Sequence, residues 1–226
     1  MSTIKCGKFI TFEGGEGCGK STQSNMLYQY LLSKNIPVDL TREVGGTAAA
    51  EKMREILIHQ ELLPKSELLQ IMAARYEHVH KRIIPKLNSG SWVICDRFID
   101  STAAYQGQYT SNNLEDKQLK DSKFDRFQTR ECASSKVNID LIYELHTSLI
   151  SPIMPDYTFW IDLKPQIALS RAAARGNNDK FEDQNIDFHQ QVHAKFQYIS
   201  SQFLDRIVRI PIFTLSQEEI HAMIVK

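Results

Sequence analysis

Short continuous apolar runs alternate along this chain with longer segments in which apolar residues recur every three to four positions. The first pattern is typical of strands buried between helix layers, and the second of helices with one buried face. The predicted strands cover residues 8–12, 38–41, 92–95, 157–161 and 207–213. The predicted helices cover residues 20–33, 48–59, 66–87, 138–150, 165–175, 188–204 and 216–225, and a further helix begins within 98–107. This alternation predicts one α/β domain over residues 1–226, built on a five-stranded parallel sheet with helices on both faces.

The long helix predicted at 66–87 has an arginine on its apolar stripe. Arg75 falls among the stripe residues Leu68, Met72, Val79 and Ile83. A guanidinium on a buried face is costly unless an anion meets it. The sequence leaves two explanations open, an anionic ligand or an arginine that forms a salt bridge or reaches out to solvent.

Residues 108–137 show neither pattern. The segment is polar, carries charges of both signs and has no sustained period, so we interpret it as an insertion that forms a surface loop or a partly helical excursion. The helix predicted after it, at 138–150, has one apolar face formed by Ile139, Ile142, Leu145 and Leu149.

A glycine-rich turn lies between the first predicted strand and the helix that follows. Gly14 to Ser21 fits the pattern G-x-x-x-x-G-K-[ST] of a phosphate-binding loop. Glycines let consecutive backbone N–H groups turn toward one anion, and the helix N-terminus adds its positive dipole end. In such a loop Lys20 reaches the outer phosphates and the Ser21 hydroxyl ligates Mg²⁺. The chain is therefore predicted to bind a nucleoside triphosphate.

More cations accompany this loop than one triphosphate requires. Asp96 and Arg97 follow the third predicted strand, at the sheet edge where open parallel sheets bind ligands. Arg42 and Arg75 are further candidates on this edge or on the helix facing it. The surplus predicts a second anion, which indicates a phosphoryl acceptor that carries its own phosphate.

Arg171 and Arg175 are spaced i, i+4 on one predicted helical face, before a Gly-Asn-Asn-Asp turn. Two cations beside a hinge suit a lid over a transferring phosphoryl group, here at about 171–184. Basic residues late in a helix also complement its dipole, and the sequence favours neither reading.

The composition of the chain limits the classes of partner that the protein is expected to bind. Lys+Arg and Asp+Glu number 27 each in 226 residues, so no global basic field indicates nucleic acid. The sequence shows no signal peptide and no apolar run long enough for a membrane span. Four widely spaced cysteines, at positions 6, 18, 95 and 132, predict reduced thiols. These features predict a cytoplasmic protein without nucleic-acid or membrane partners.

Five motifs occur in a fixed order along the chain. They are FITFEGGEG with GKS at 9–21, TRE with GGT at 41–47, AAR with His78 at 73–78, DRF with DST and AYQG at 96–107, and PD at 155–156 followed by Asp162 and RAAARG at 171–176. Together they resemble the bacterial thymidylate kinases, a family of P-loop nucleoside monophosphate kinases. The resemblance covers most of the chain outside 108–137.

The resemblance implies the three-layer sandwich of P-loop NTPases and transfer of the γ-phosphoryl group of ATP to dTMP with Mg²⁺, giving dTDP and ADP. It implies that ATP lies on the loop, at Gly14, Gly15, Glu16, Gly17, Cys18, Gly19, Lys20, Ser21 and Thr22. It implies that dTMP lies against Glu16, Arg42, Arg54, Ile71, Arg75, Arg97, Thr102, Tyr105 and Gln106.

The family's residue roles map onto these positions. Arg97 and Arg75 would hold the dTMP phosphate, and Arg42 and Arg54 would complete that site. Glu16 would accept from the sugar 3′-hydroxyl. Thr102 and Gln106 would bond the thymine edge, while Tyr105 packs beneath the deoxyribose and disfavours a 2′-hydroxyl. Asp96 would orient Mg²⁺ through water or position Arg97, so Ser21 and Asp96 are the metal candidates.

Family members carry the catalytic cation either in the phosphate loop or in the lid. Residues 15–18, GEGC, contain no basic residue, so this chain resembles the lid type. The predicted catalytic set is accordingly Lys20, Asp96, Arg97, Arg171 and Arg175. The chain departs from the family at Val44, where proline is usual, at Ile71, where many members have a phenylalanine that stacks on thymine, and at Ala173, where some have an arginine.

The helix after the insertion helps to form a dimer interface in this family, so the resemblance implies a homodimer. The insertion itself is either a tolerated surface excursion or part of a lid or interface. Rival functions are a kinase of the same fold acting on dUMP or dGMP, a nucleotide-dependent switch or assembly ATPase, and a nucleotide-binding protein without catalysis. Thr102 and Gln106 favour a pyrimidine acceptor.

Overall fold

The structure is a computed structural model that describes residues 7–108, 137–173, 181, 184–212 and 215–226. Five parallel strands form the main sheet: β1 (Phe9–Glu13), β2 (Val38–Arg42), β3 (Trp92–Asp96), β6 (Tyr157–Asp162) and β7 (Ile207–Pro211). Their order across the sheet is β2-β3-β1-β6-β7. The predicted five-stranded parallel sheet is therefore confirmed, with β1 at its centre.

Helices connect the strands. They are α1 (Lys20–Ser33), α2 (Ala48–His59), α3 (Pro64–His78), α4 (Ile84–Asn88), α5 (Ile99–Gln106), α6 (Ile139–Leu145), α7 (Pro165–Ala173), α8 (Ile186–Gln202) and α9 (Gln217–Ile224). The predicted bounds of α1 and α2 agree with the structure, and Thr47 caps α2 by accepting from Ala50 N.

The sheet divides two hydrophobic cores. Alternate residues of a strand point to opposite faces, and Phe9 accordingly lies in one core while Ile10 and Phe12 lie in the other. The first core joins the sheet to α5, α6, α8 and the helical segment 64–88, and the second joins it to α1 and α9. Helices therefore cover both faces, as the continuous apolar strands predicted.

The helix predicted at 66–87 is not a uniform α-helix. A π-helical turn, Val79–Ile83, separates α3 from α4, and Pro85 has no N–H to continue the helical ladder there. The apolar stripe of Leu68, Met72, Val79 and Ile83 is buried as predicted.

The helix predicted at 138–150 also changes form, because α6 is followed by a π-helical turn at His146–Ile150. The prediction that Leu149 shares the apolar face is wrong, since its side chain is 65% exposed. The wider turn changes the angle between successive side chains, and a pattern based on the α-helical period misses that change.

A short ladder that the sequence did not predict closes the base of the insertion. Gly107–Gln108 (β4) pairs in parallel with Val137–Asn138 (β5). Residues 109–136 lie outside the described part of the chain, so their predicted loop or partly helical form stays a prediction. Within the described ranges, no helix has the length and apolar character needed to cross a membrane.

Candidate active site

The phosphate loop joins β1 to α1, as the sequence predicted. Gly14, Gly17 and Gly19 have φ values of 140°, 71° and 98°. A Cβ at Gly17 would lie 2.0 Å from the Ala168 carbonyl oxygen, so no other residue fits there. The Lys20 side chain is buried and its Nζ donates to the Gly15 carbonyl at 2.6 Å, which places the ammonium group across the loop.

A cavity of about 310 Å³ opens beside this loop. Its wall includes Glu16, Gly17, Gly19, Lys20, Ser21 and Thr22 from the loop and the start of α1. Every residue predicted to bind the acceptor lines the same cavity, together with Asp96: Glu16, Arg42, Arg54, Ile71, Arg75, Arg97, Thr102, Tyr105 and Gln106. Gly14, Gly15 and Cys18 are not part of the lining, and the Cys18 side chain is in the hydrophobic core.

Arg97 connects the loop to α5. Its Nη2 lies 2.5 Å from Glu16 Oε1, and its Nη1 donates to Gly14 O and Ser101 Oγ at 3.2 Å each. The Tyr105 hydroxyl donates to the same Glu16 oxygen at 3.0 Å. Burial by itself would raise the pKa of Glu16, but the charges of Arg97 and Lys20 outweigh it and lower the pKa to about 2. Glu16 is therefore ionised at neutral pH.

Arg75 is buried with an anionic partner from the protein. Its Nε donates to Glu43 Oε2 at 2.7 Å, and His78 Nδ1 lies 3.0 Å from Glu43 Oε1. Burial would raise the pKa of Glu43, and the adjacent Arg75 holds it below its usual value. Of the two explanations that the sequence left open for Arg75, the salt bridge is present in the structure. The other end of its guanidinium still reaches the cavity, where Nη2 donates to Thr102 Oγ1 at 2.7 Å.

The side chains of Ser21 and Asp96 are in contact in the cavity lining. The Ser21 hydroxyl donates to Asp96 Oδ2, while Asp96 Oδ1 is buried and has no hydrogen-bond partner in the described part of the chain. A hydroxyl and a carboxylate with a free oxygen fit a hard divalent cation such as Mg²⁺. The predicted metal candidates are thus adjacent in space, although 75 residues separate them in sequence.

Two further cations, Arg42 at the end of β2 and Arg54 on α2, lie beside the turn that joins these two elements. Arg42 Nη2 donates to Glu51 Oε2 at 3.0 Å, and Arg54 Nη1 donates to Val44 O at 3.0 Å. Glu51 Oε1 also accepts from Gly46 N at 2.9 Å, and the Glu43–Val44 peptide bond is cis. With valine at position 44, side chains of α2 hold the turn that presents Arg42.

The cavity lining also has apolar members. Ile71 is one of them and is buried, and Gln106, also in the lining, donates from Nε2 to Glu67 Oε1 at 2.9 Å. Seven further residues line the cavity and were not predicted from the sequence: Glu43, Val44, Leu57, Ile58, Phe98, Ser101 and Phe181. Leu57 and Ile58 follow Arg54 by three and four positions on α2, so helical spacing from Arg54 was the signal that could have found them.

The structure describes only part of the segment predicted to form a lid. Arg171 is exposed on the last turn of α7 and does not line the cavity, because Ala168 and Ala172 form the buried face of that helix. Arg175 lies outside the described residues. The Phe181 ring packs edge-on against Tyr105, with 5.7 Å between ring centroids.

A parallel sheet covered by helices on both faces, a phosphate loop at the end of its central strand and a cation-lined cavity facing that loop define a P-loop nucleotide-binding protein. Comparison with known proteins gives the family. The thymidylate kinase family model matches residues 12–123 and 128–224, so the chain belongs to the thymidylate kinase family.

Individual relatives agree with the family model. A thymidylate kinase of Rickettsia africae is 51% identical over 226 residues, which is 100% of this chain and 99% of the relative. One of Rickettsia bellii is 50% identical over 226 residues, with 100% and 98% covered. The crystal structure of thymidylate kinase from Ehrlichia chaffeensis is 32% identical and has a TM-score of 0.69, with 97% of each chain covered.

Proposed function

We propose that this protein transfers the γ-phosphoryl group of ATP to dTMP, giving dTDP and ADP. The observation that carries the proposal is the single cavity that joins the phosphate loop to every residue predicted for the acceptor. A triphosphate alone would leave the wall formed by Arg97, Thr102 and Tyr105 without a ligand.

The loop holds the donor in this proposal. Backbone N–H groups of residues 14–19 and the N-terminus of α1 bind the phosphates, and Lys20 neutralises the charge that develops on the outer ones. Ser21 and Asp96 would hold Mg²⁺, which supplies positive charge to the phosphate oxygens when bound. The orphaned Oδ1 of Asp96 supports that assignment.

Arg97 holds the acceptor phosphate. Its guanidinium lies between the loop and α5, and Glu16 and Ser101 fix its orientation. A planar guanidinium with several donors binds phosphate oxygens in a defined geometry. Because Arg97 lies beside Gly14, it would bring the acceptor phosphate oxygen toward the γ-phosphate of ATP.

Ile71, Thr102 and Gln106 surround the base in this proposal, and Tyr105 packs under the sugar, whose 3′-hydroxyl donates to the ionised Glu16. The sequence assigned Arg75 to the acceptor phosphate. Its contact with Thr102 at 2.7 Å favours the base end instead, where a guanidinium N–H can donate to a base carbonyl.

The remaining assignments rest on the sequence. Arg175, and with less support Arg171, is proposed to stabilise the transferring phosphoryl group from a lid at about 171–184 of a single domain.

We also propose a cytoplasmic homodimer. Exposed Leu69 and Tyr76 lie two turns apart on α3 and supply an apolar face, and the buried Cys18 and Cys95 are free thiols, as in reducing compartments. Sedimentation of wild type and Leu69→Glu would test the dimer, which the charged variant should weaken.

The direct test is ADP release by purified protein with Mg-ATP and dTMP, dUMP, dGMP or no acceptor. Lys20→Ala serves as the inactive control. The proposal predicts release that depends on dTMP and is slower with dUMP and dGMP. Equal release with and without an acceptor would support a switch or assembly ATPase instead.

A further inference from the structure

Glu13, the last residue of β1, is fully buried, and both of its carboxylate oxygens are engaged. Oε1 accepts from Phe98 N at 2.8 Å, and Oε2 accepts from the Ser101 hydroxyl. Burial, together with the charge of Asp100, raises the pKa of Glu13 to about 7. Burying a carboxyl group in the core costs free energy unless it has hydrogen-bond partners, whereas an apolar side chain would need none there.

The two partners of Glu13 both follow Arg97 along the chain. Arg97 has a φ of 70°, in the left-handed region that residues other than glycine rarely adopt. Its backbone N–H donates to Phe12 O at 2.9 Å, so the residue before Glu13 holds one side of the turn. Glu13 itself holds the other side through Phe98 N.

The Ser101 hydroxyl links Glu13 to the guanidinium of Arg97. It donates its hydrogen to Glu13 Oε2 and accepts from Arg97 Nη1 at 3.2 Å. Arg97 Nη1 also donates to the carbonyl of Gly14, the residue after Glu13. Both the backbone turn and the side chain of Arg97 are therefore fixed against the strand end that begins the phosphate loop.

We propose that Glu13 is a positioning residue that sets the place of Arg97 relative to the phosphate loop. This inference rests on the proposed function, in which Arg97 holds the acceptor phosphate. One strand end then carries the loop for the donor and orients the arginine for the acceptor. In-line transfer needs both phosphates at a fixed separation, so a small displacement of Arg97 lowers the rate steeply.

Two variants break this link at different atoms. In Glu13→Gln the amide oxygen still accepts from Phe98 N, but the amide NH₂ donates to Ser101 Oγ and competes there with Arg97. Ser101→Ala removes the hydroxyl and keeps Glu13. Thr11→Val is the matched control, because Thr11 is buried on the same face of β1 and its hydroxyl bonds Thr158 at 2.8 Å.

The measurement is kcat and KM for dTMP and for ATP, with the melting temperature of each variant. Glu13→Gln and Ser101→Ala should each lower kcat/KM for dTMP about tenfold to a hundredfold and leave KM for ATP within about twofold. The double variant should be no worse than the more impaired single one, because both act through one hydroxyl. Thr11→Val should keep wild-type constants for both substrates.

Several outcomes would overturn the role of Glu13. One is wild-type kinetics in both variants, even with lower melting temperatures, since that result shows a purely structural carboxyl group. Another is an equal rise in KM for dTMP and KM for ATP in these variants. If Glu13→Gln fails to fold, the kinetic constants of Ser101→Ala alone test the proposal. Wild-type protein without dTMP-dependent ADP release would instead overturn the proposed function, and Glu13 would lose its role with it.

Discussion

The guanidinium of Arg97 and the carboxylate of Glu16 lie 2.5 Å apart and join the phosphate loop to the helix that carries Thr102 and Tyr105. This pair connects the loop to the start of that helix through side chains alone. A displacement of the loop would therefore also displace the Arg97 side chain.

Arg97→Lys should lower kcat/KM for dTMP by about a hundredfold, because a single ammonium nitrogen lacks the planar fork with which Nη1 reaches Gly14 and Ser101 while Nη2 reaches Glu16. Steady-state kinetics would measure the loss. Arg209→Lys is the control, since Arg209 pairs with Asp162 on another strand and should retain wild-type rates. An Arg97→Lys enzyme with normal kcat/KM would remove Arg97 from the acceptor site.

Arg75→Gln separates base binding from phosphate binding. If Arg75 serves the base, as its contact with Thr102 indicates, the variant should lose about tenfold affinity for both thymidine and dTMP. Calorimetric titration with the two ligands measures this. Loss for dTMP with unchanged thymidine affinity would show that Arg75 binds the phosphate.

Arg175→Ala should lower kcat by about a hundredfold or more, given the size of arginine effects on phosphoryl transfer. Arg171→Ala is the matched comparison on the same segment, and the exposure of Arg171 predicts a smaller loss. Single-turnover rates at saturating substrates would distinguish chemistry from binding. An unchanged rate in Arg175→Ala would exclude it from the mechanism.

Asp96→Asn should raise the Mg²⁺ concentration needed for half-maximal activity, because it removes one negative charge from the oxygen pair that Ser21 and Asp96 present. We expect a shift of about tenfold or more. Activity measured against free Mg²⁺ gives the value. A variant with the wild-type Mg²⁺ requirement and normal kcat would show that Asp96 does not serve the metal.

The raised pKa of Glu13 makes stability depend on pH with a known sign. The folded protein keeps the Glu13 proton up to about pH 7, whereas an unfolded glutamate loses it near 4.5, so this group lowers stability as pH rises between those values. Glu13→Gln removes the dependence. Relative to wild type, its free energy of unfolding should therefore improve by roughly 1 to 3 kcal/mol from about pH 5 to pH 8.

Urea denaturation at both pH values measures this difference, and Thr11→Val provides the comparison because it leaves Glu13 in place. A constant difference between Glu13→Gln and wild type across the range would contradict the raised pKa.

Local signals predicted most elements correctly. The phosphate loop and the bounds of α1 and α2 depend on glycine, capping and apolar spacing within a few residues. The π-helical turns at Val79–Ile83 and His146–Ile150 were missed, since a pattern assessed at the α-helical period does not register a single wider turn. The ladder between Gly107–Gln108 and Val137–Asn138 was missed because two-residue strands have no period to read.

The sequence by itself determined the class of fold, the position of the phosphate loop and most of the residues that line the cavity beside it. These features depend on local pattern and on motifs in a fixed order. Only the tertiary structure decided which partner each charge has: Glu43 for Arg75, Glu16 for Arg97, and Ser101 between Glu13 and Arg97. Those pairs join strand ends far apart in sequence, and the energy of a buried charge depends on the groups that surround it in space.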